Sequence, residues 1–152
     1  MYNPFIESPS QLRKDWKALR TSLTSEQSDL QQLEKVAKWW GQCPLSKNWF
    51  DWDNPADWPD PWELITTKNL DYSAIALGME YTLLLSEEGR WDAERVQLWL
   101  ASDSKKTLQH LVVVADDRWI LNFEHGKVVE NSDDILVHSR YCYDSKHHIN
   151  SG

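Results

Sequence analysis

Cysteine, glycine and basic residues are all scarce in this chain of 152 residues. Two cysteines, Cys43 and Cys142, exclude a disulfide-dense scaffold. Five scattered glycines leave no Gly-rich phosphate loop. Sixteen Lys and Arg stand against 24 Asp and Glu, for a net charge of −8. Nucleic acid and anionic membranes select basic patches, and none appears beyond short pairs such as Lys105-Lys106. Neither is expected as a partner. No run approaches the roughly 18 apolar residues of a membrane span. The opening Met1-Tyr2-Asn3-Pro4-Phe5-Ile6-Glu7 lacks the basic and apolar regions of a signal peptide. The expected location is a cytoplasm, or a particle assembled there. No C-x-x-C or H-E-x-x-H pattern occurs, and no metal or cofactor is expected.

Tryptophan, by contrast, is plentiful. There are ten, six of them between Trp39 and Trp62. Hydrophobic residues reach 41%, enough to build one core. Helix signals fill the first half. Ser8-Pro9-Ser10-Gln11 reads as a capped start, followed by Leu12, Trp16, Leu19 and Leu23 at helical spacing. Thr24-Ser25-Glu26-Gln27 repeats the start signal before Leu30, Leu33, Val36, Ala37 and Trp40. Asp60-Pro61-Trp62-Glu63 predicts a short third helix. Residues 71–86 predict a fourth, apolar nearly all round and therefore buried. From Val96 the period becomes two. Leu108 to Ala115 reads as a strand buried on both faces, Asp116-Asp117 as a tight hairpin, and His125-Gly126 as the next turn. The fold class is α+β, N-terminal helices followed by an antiparallel sheet. The expected organisation is a helical segment over 1–45, an α+β domain over 46–145 and a frayed polar tail over 146–152.

Few residues suggest chemistry. Asp51, Asp53, Asn54 and Asp57 begin like a calcium loop but lack its central glycine and closing glutamate. The same loop carries Trp49, Trp52, Trp58 and Trp62, the candidate binding residues. Trp58 and Trp62 are expected to be buried, and Trp49 or Trp52 to face a partner or a sugar ring. His147-His148, in the tail, reads as a solvated pair. Cys43 follows a helix C-terminus, where the dipole disfavours a thiolate. Cys142, between two tyrosines, reads as packed. His110 opens the strand His110-Leu111-Val112-Val113-Val114, a position that most often holds a structural histidine.

Three segments taken together resemble the bacterial transglutaminase-like cysteine peptidases. Asp57-Trp58-Pro59-Asp60-Pro61-Trp62-Glu63-Leu64 is similar to that family's first helix start. Asn69-Leu70-Asp71-Tyr72-Ser73-Ala74 is similar to the start of its nucleophile helix. His110-Leu111-Val112-Val113, Asp117-Arg118-Trp119-Ile120-Leu121-Asn122-Phe123 and Lys127-Val128-Val129 are similar to its histidine strand and the hairpin after it. The resemblance implies a transglutaminase-like (papain-like) core. It puts Asn69 at the nucleophile position and Asn122 at the position of the orienting acid, leaving His110. An amide cannot be ionised to attack a carbonyl. The implied reading is therefore a degenerate site, no enzyme, and action through protein contacts. Pro59-Asp60-Pro61-Trp62-Glu63-Leu64-Ile65 and Ala76-Leu77-Gly78-Met79-Glu80-Tyr81-Thr82 resemble small tailed-phage proteins. That resemblance implies a virion-associated, tail or baseplate assembly role. Two alternatives stay open: an active cysteine hydrolase using His110 with Cys43, and a carbohydrate-binding module on the Trp/Asp loop.

Overall fold

The computed structural model describes residues 2–46, 54–67, 70–105, 109–144 and 147–151. Helix α1 (Pro9–Ser22) starts where Ser8 Oγ accepts from the Gln11 amide at 3.2 Å. Helix α2 (Asp29–Trp40) starts later than Thr24 suggests. Two capping patterns lie in tandem, and the second one forms the box. Ser28 Oγ accepts from Gln31 N at 3.1 Å, and Gln31 Oε1 accepts from Ser28 N at 2.9 Å. The first pattern closes a turn instead, with Gln27 N donating to Thr24 O at 3.2 Å. Helix α3 (Pro61–Thr67) forms as expected, with Asp60 Oδ1 accepting from Glu63 N at 2.9 Å. Helix α4 (Tyr72–Leu84) is buried from Ser73 to Leu83.

Tryptophans bind the helices together. Trp16 of α1 and Trp40 of α2 both donate Nε1–H to Thr82 Oγ1 of α4, each at 2.8 Å. Two large rings are thus buried with their polar atoms satisfied. Gly78 makes this possible, because a Cβ there would sit 2.4 Å from the Trp40 ring.

Six antiparallel strands follow: β1 (Val96–Asp103), β2 (Gln109–Ala115), β3 (Trp119–Leu121), β4 (Val128–Glu130), β5 (Ile135–Asp144) and β6 (His147–Asn150). Their order is β4-β3-β2-β1-β5-β6. Asp116 and Asp117 both have positive φ, 55° and 57°, as a two-residue hairpin turn with matching twist requires. One face of β1 and β2 presents Leu98, Leu100, Leu111 and Val113 to the helices. The other buries Trp99, Ala101, Val112 and Val114. The expected α+β architecture holds, and β2 is buried on both faces. None of the helices among the described residues is long and apolar enough to cross a membrane.

The chain end departs from expectation. Instead of fraying, residues 147–150 pair with Tyr141–Asp144 as an edge strand. Alternation turns His148 inward, and its Nε2 meets a carboxylate oxygen of Glu80 in the middle of α4. The solvated reading of His148 is therefore corrected: a partner 68 residues away in the chain draws it into the core.

Candidate active site

The N-terminus of α4 and the start of β2 meet at one end of the sheet. Asp71 caps α4, its Oδ1 accepting from Ala74 N at 2.8 Å. Ser73 Oγ accepts from Leu111 N at 3.0 Å, which pins the first turn of α4 to the residue after His110. Asn122, just past β3, ties the same elements from the other side. Its Nδ2 donates to Tyr72 O at 2.6 Å and to Leu111 O at 3.2 Å. It does so with φ at 75°, a left-handed conformation that asparagine tolerates better than most residues.

His110 is buried in this frame. Its Nε2 lies 2.7 Å from the carbonyl oxygen of Asn122, and a carbonyl only accepts, so Nε2 carries the proton. Burial holds the imidazole below the usual histidine range, against the smaller opposing effects of the Asn122 carbonyl and the Asp71 charge. The ring is neutral at neutral pH, and its Nδ1 keeps a lone pair. Among the described residues Nδ1 has no hydrogen-bond partner, and neither does Asn122 Oδ1. The Tyr72 ring packs on His110 at 5.3 Å and meets His125 edge-on at 5.7 Å. His125 Nε2 in turn donates to Gly41 O at 2.7 Å, so the end of α2 borders the same site. Gly41 and Gly126 pack backbone to backbone there; a Cβ on Gly41 would sit 2.7 Å from the Gly126 Cα.

Cys43 lies two residues beyond Gly41 and is buried. Its thiol donates to Pro44 O at 3.6 Å. Burial pushes it up to about 12, opposed by a backbone hydrogen bond at Leu70. Leu45 also bridges to Leu70, so this segment runs alongside the lead-in to α4. Cys142 sits in β5 opposite Ile149 of β6.

The structure thus joins His110 and Asn122, but through the Asn122 backbone carbonyl. The side chain that stands for the orienting acid holds the α4 terminus instead. Asn69 lies outside the described residues, as do Trp49, Trp52, Asp51 and Asp53. Asn54 Nδ2 donates to Asp57 Oδ2 at 2.6 Å. Trp58 is buried between Tyr141 and His148, at 4.9 Å from each ring, and cannot stack on a sugar. Trp62 is 54% exposed, contrary to expectation. In so short a helix Leu64 and Ile65 take the inward positions, and Trp62 only leans edge-on against Trp16 at 5.6 Å. Ser73 and His125 were not singled out as site residues. Ser73 stood inside a quoted motif, and the contacts of His125 are all distant in sequence.

Neither family models nor curated sequences match the chain. Solved structures do. The chain superposes on Legionella pneumophila LapG with a TM-score of 0.71 at 19% identity, over 91% of this chain and 76% of that one. The EGTA-treated form gives 0.72 at 18%, covering 95% and 79%. The calcium-bound form gives 0.68 at 18%, covering 95% and 81%. The fold is transglutaminase-like. The expectation that the chain is no enzyme is withdrawn: the fold is shared with LapG, a cysteine peptidase, and the absence of catalytic residues is not shown. That expectation weighed two substituted positions. One of them, Asn69, is not described, and at the other the Asn122 carbonyl holds the imidazole without an acid.

Proposed function

We propose that the chain is a hydrolase of transglutaminase-like fold that acts on a protein substrate, with His110 as its general base. The observation that carries this reading is the imidazole's orientation. Nε2–H is committed to the Asn122 carbonyl, and Nδ1 keeps a lone pair that is unpartnered among the described residues, near the N-terminus of a buried helix. A neutral base with one nitrogen anchored and a lone pair on the other suits proton abstraction from a nucleophile that reaches it. Cys43 is the proposed nucleophile, since its segment runs beside Leu70 at the entrance to α4. The thiol starts protonated, given its elevated pKa, and the substrate complex must bring Sγ within reach of Nδ1 before the proton can pass. The second sequence resemblance favours a role for the chain in a virion or its assembly, where such a substrate would be met.

The test is turnover of a fluorogenic protein substrate by the wild-type chain, His110→Gln and Cys43→Ser. Hydrolysis abolished by both substitutions supports the reading. Hydrolysis that survives Cys43→Ser but not His110→Gln removes the thiol and keeps the base. Hydrolysis indifferent to His110, or none on any substrate tried, overturns it.

A second contact surface is favoured by Trp62, a large ring left on the surface of α3. Exposed tryptophans are common anchors in protein interfaces. Trp62→Ala should weaken capture of a protein partner while costing under about 1 kcal/mol of stability.

A further inference from the structure

The environment of His148 has the composition of a cation-binding cage. Three rings surround the imidazole: Trp58 at 4.9 Å, Tyr143 at 5.0 Å and Tyr81 at 5.7 Å. The Tyr81 hydroxyl is committed to Pro59 O at 2.9 Å. Glu80 closes the cage. One carboxylate oxygen meets His148 Nε2, and the other is buried with no partner among the described residues. Both side chains are sealed from solvent. Aromatic faces around a carboxylate stabilise a cation, whereas an apolar occupant would leave the carboxylate unpaired. Burial holds Glu80 above the usual carboxylate range, and the imidazole opposes this more weakly.

The occupant of this cage belongs to the last strand of the sheet. β6 has four residues and forms an edge, attached through its pairing with β5, through His148 and through packing against the turn Pro55–Asp57. Were β6 displaced, an extended peptide could take its place by pairing with β5, and its side chain would enter the cage.

We infer that Glu80, Trp58, Tyr81 and Tyr143 form a binding site for a basic side chain, and that β6 occupies it as an intramolecular ligand through His148. The site's external ligand is an extended peptide carrying a lysine or arginine at the position of His148. Nothing in the proposed chemistry at His110 uses these residues.

Chemical rescue tests the inference. His148→Ala empties the cage and keeps the strand. Imidazole and methylguanidinium are then compared with pyrazole, which matches imidazole in shape but is barely basic. At ten times its Kd, each basic probe should raise the Tm of His148→Ala by about 3–6 °C, and pyrazole should do nothing comparable. The wild-type chain, with its cage filled, should not respond. Adding Glu80→Gln to His148→Ala should abolish the preference. If His148→Ala does not fold unaided, recovery of folded protein on dialysis into each probe replaces the Tm, with the same ranking expected. Equal rescue by pyrazole would reduce the cage to an ordinary cavity, and rescue by none of the probes would refute the site altogether.

Discussion

Asn122→Asp would restore the acid that the peptidase resemblance places at this position, yet the structure makes it a damaging change. Asn122 Nδ2 donates two hydrogen bonds, to the carbonyls of Tyr72 and Leu111. A carboxylate has no proton to donate. The substitution removes both bonds, takes that donor from the Leu111 carbonyl and sets a buried negative charge against both carbonyls, although Tyr72 O keeps its place in the α4 hydrogen-bond ladder. An acceptor left unsatisfied costs about 1–3 kcal/mol. With the uncompensated charge, a loss of about 3–5 kcal/mol is expected. Domains of this kind have roughly 5–15 kcal/mol in all, so the loss is a large share. In Tm it is about 6–20 °C for a chain of this size. Asn122→Gly separates the contributions, because it keeps the left-handed backbone, removes both bonds and adds no charge. It should fall between wild type and Asn122→Asp. Lowering the pH should narrow the deficit of Asn122→Asp, since a protonated carboxyl regains one donor. The assay is thermal unfolding followed by circular dichroism at pH 7 and pH 5. Wild-type stability in Asn122→Asp would show that the side chain does not hold the α4 terminus by donation.

Other outcomes follow from the same packing. His110 is held below 6.5, so it contributes stability that is present above pH 6.5 and lost as pH falls through its folded value. The Tm of the wild type should therefore drop more steeply below pH 6.5 than that of His110→Gln, as scanning calorimetry over pH 7 to 5 would show. Gly78→Ala should destabilise by about 1–3 kcal/mol through overpacking, even though alanine favours helix, because the new methyl meets the buried Trp40 ring. Urea unfolding measures it. Trp58→Ala should cost about 3–5 kcal/mol in the same assay, as befits a buried ring, while Trp62→Ala should cost under about 1 kcal/mol.

How far the sequence carried these conclusions depended on how local each signal was. The caps at Ser8 and Asp60 and the Asp116-Asp117 hairpin are decided within four residues, and each stands where the pattern put it. The start of α2 shifted because two equivalent caps lie four residues apart, and only tertiary packing chooses between them. The contact of His110 with Asn122 was anticipated from the order of the motifs. Its form was not, since no motif distinguishes a side-chain partner from a backbone carbonyl. The pairing of Glu80 with His148 is not legible in the sequence, for the opposite reason. A glutamate in an apolar helix and a histidine in a polar tail each look ordinary, and only the fold brings them together. Trp62 was misplaced because the short α3 has room inward for Leu64 and Ile65 alone.

The claim that His110 is a base ready for use can be read from its ring nitrogens. Two-bond proton–nitrogen correlation spectra on uniformly labelled protein at pH 7 should show His110 neutral, with its proton on Nε2 and an unprotonated Nδ1, and charging only below pH 6.5. A proton on Nδ1, or an imidazolium that persists above pH 6.5, would contradict the account.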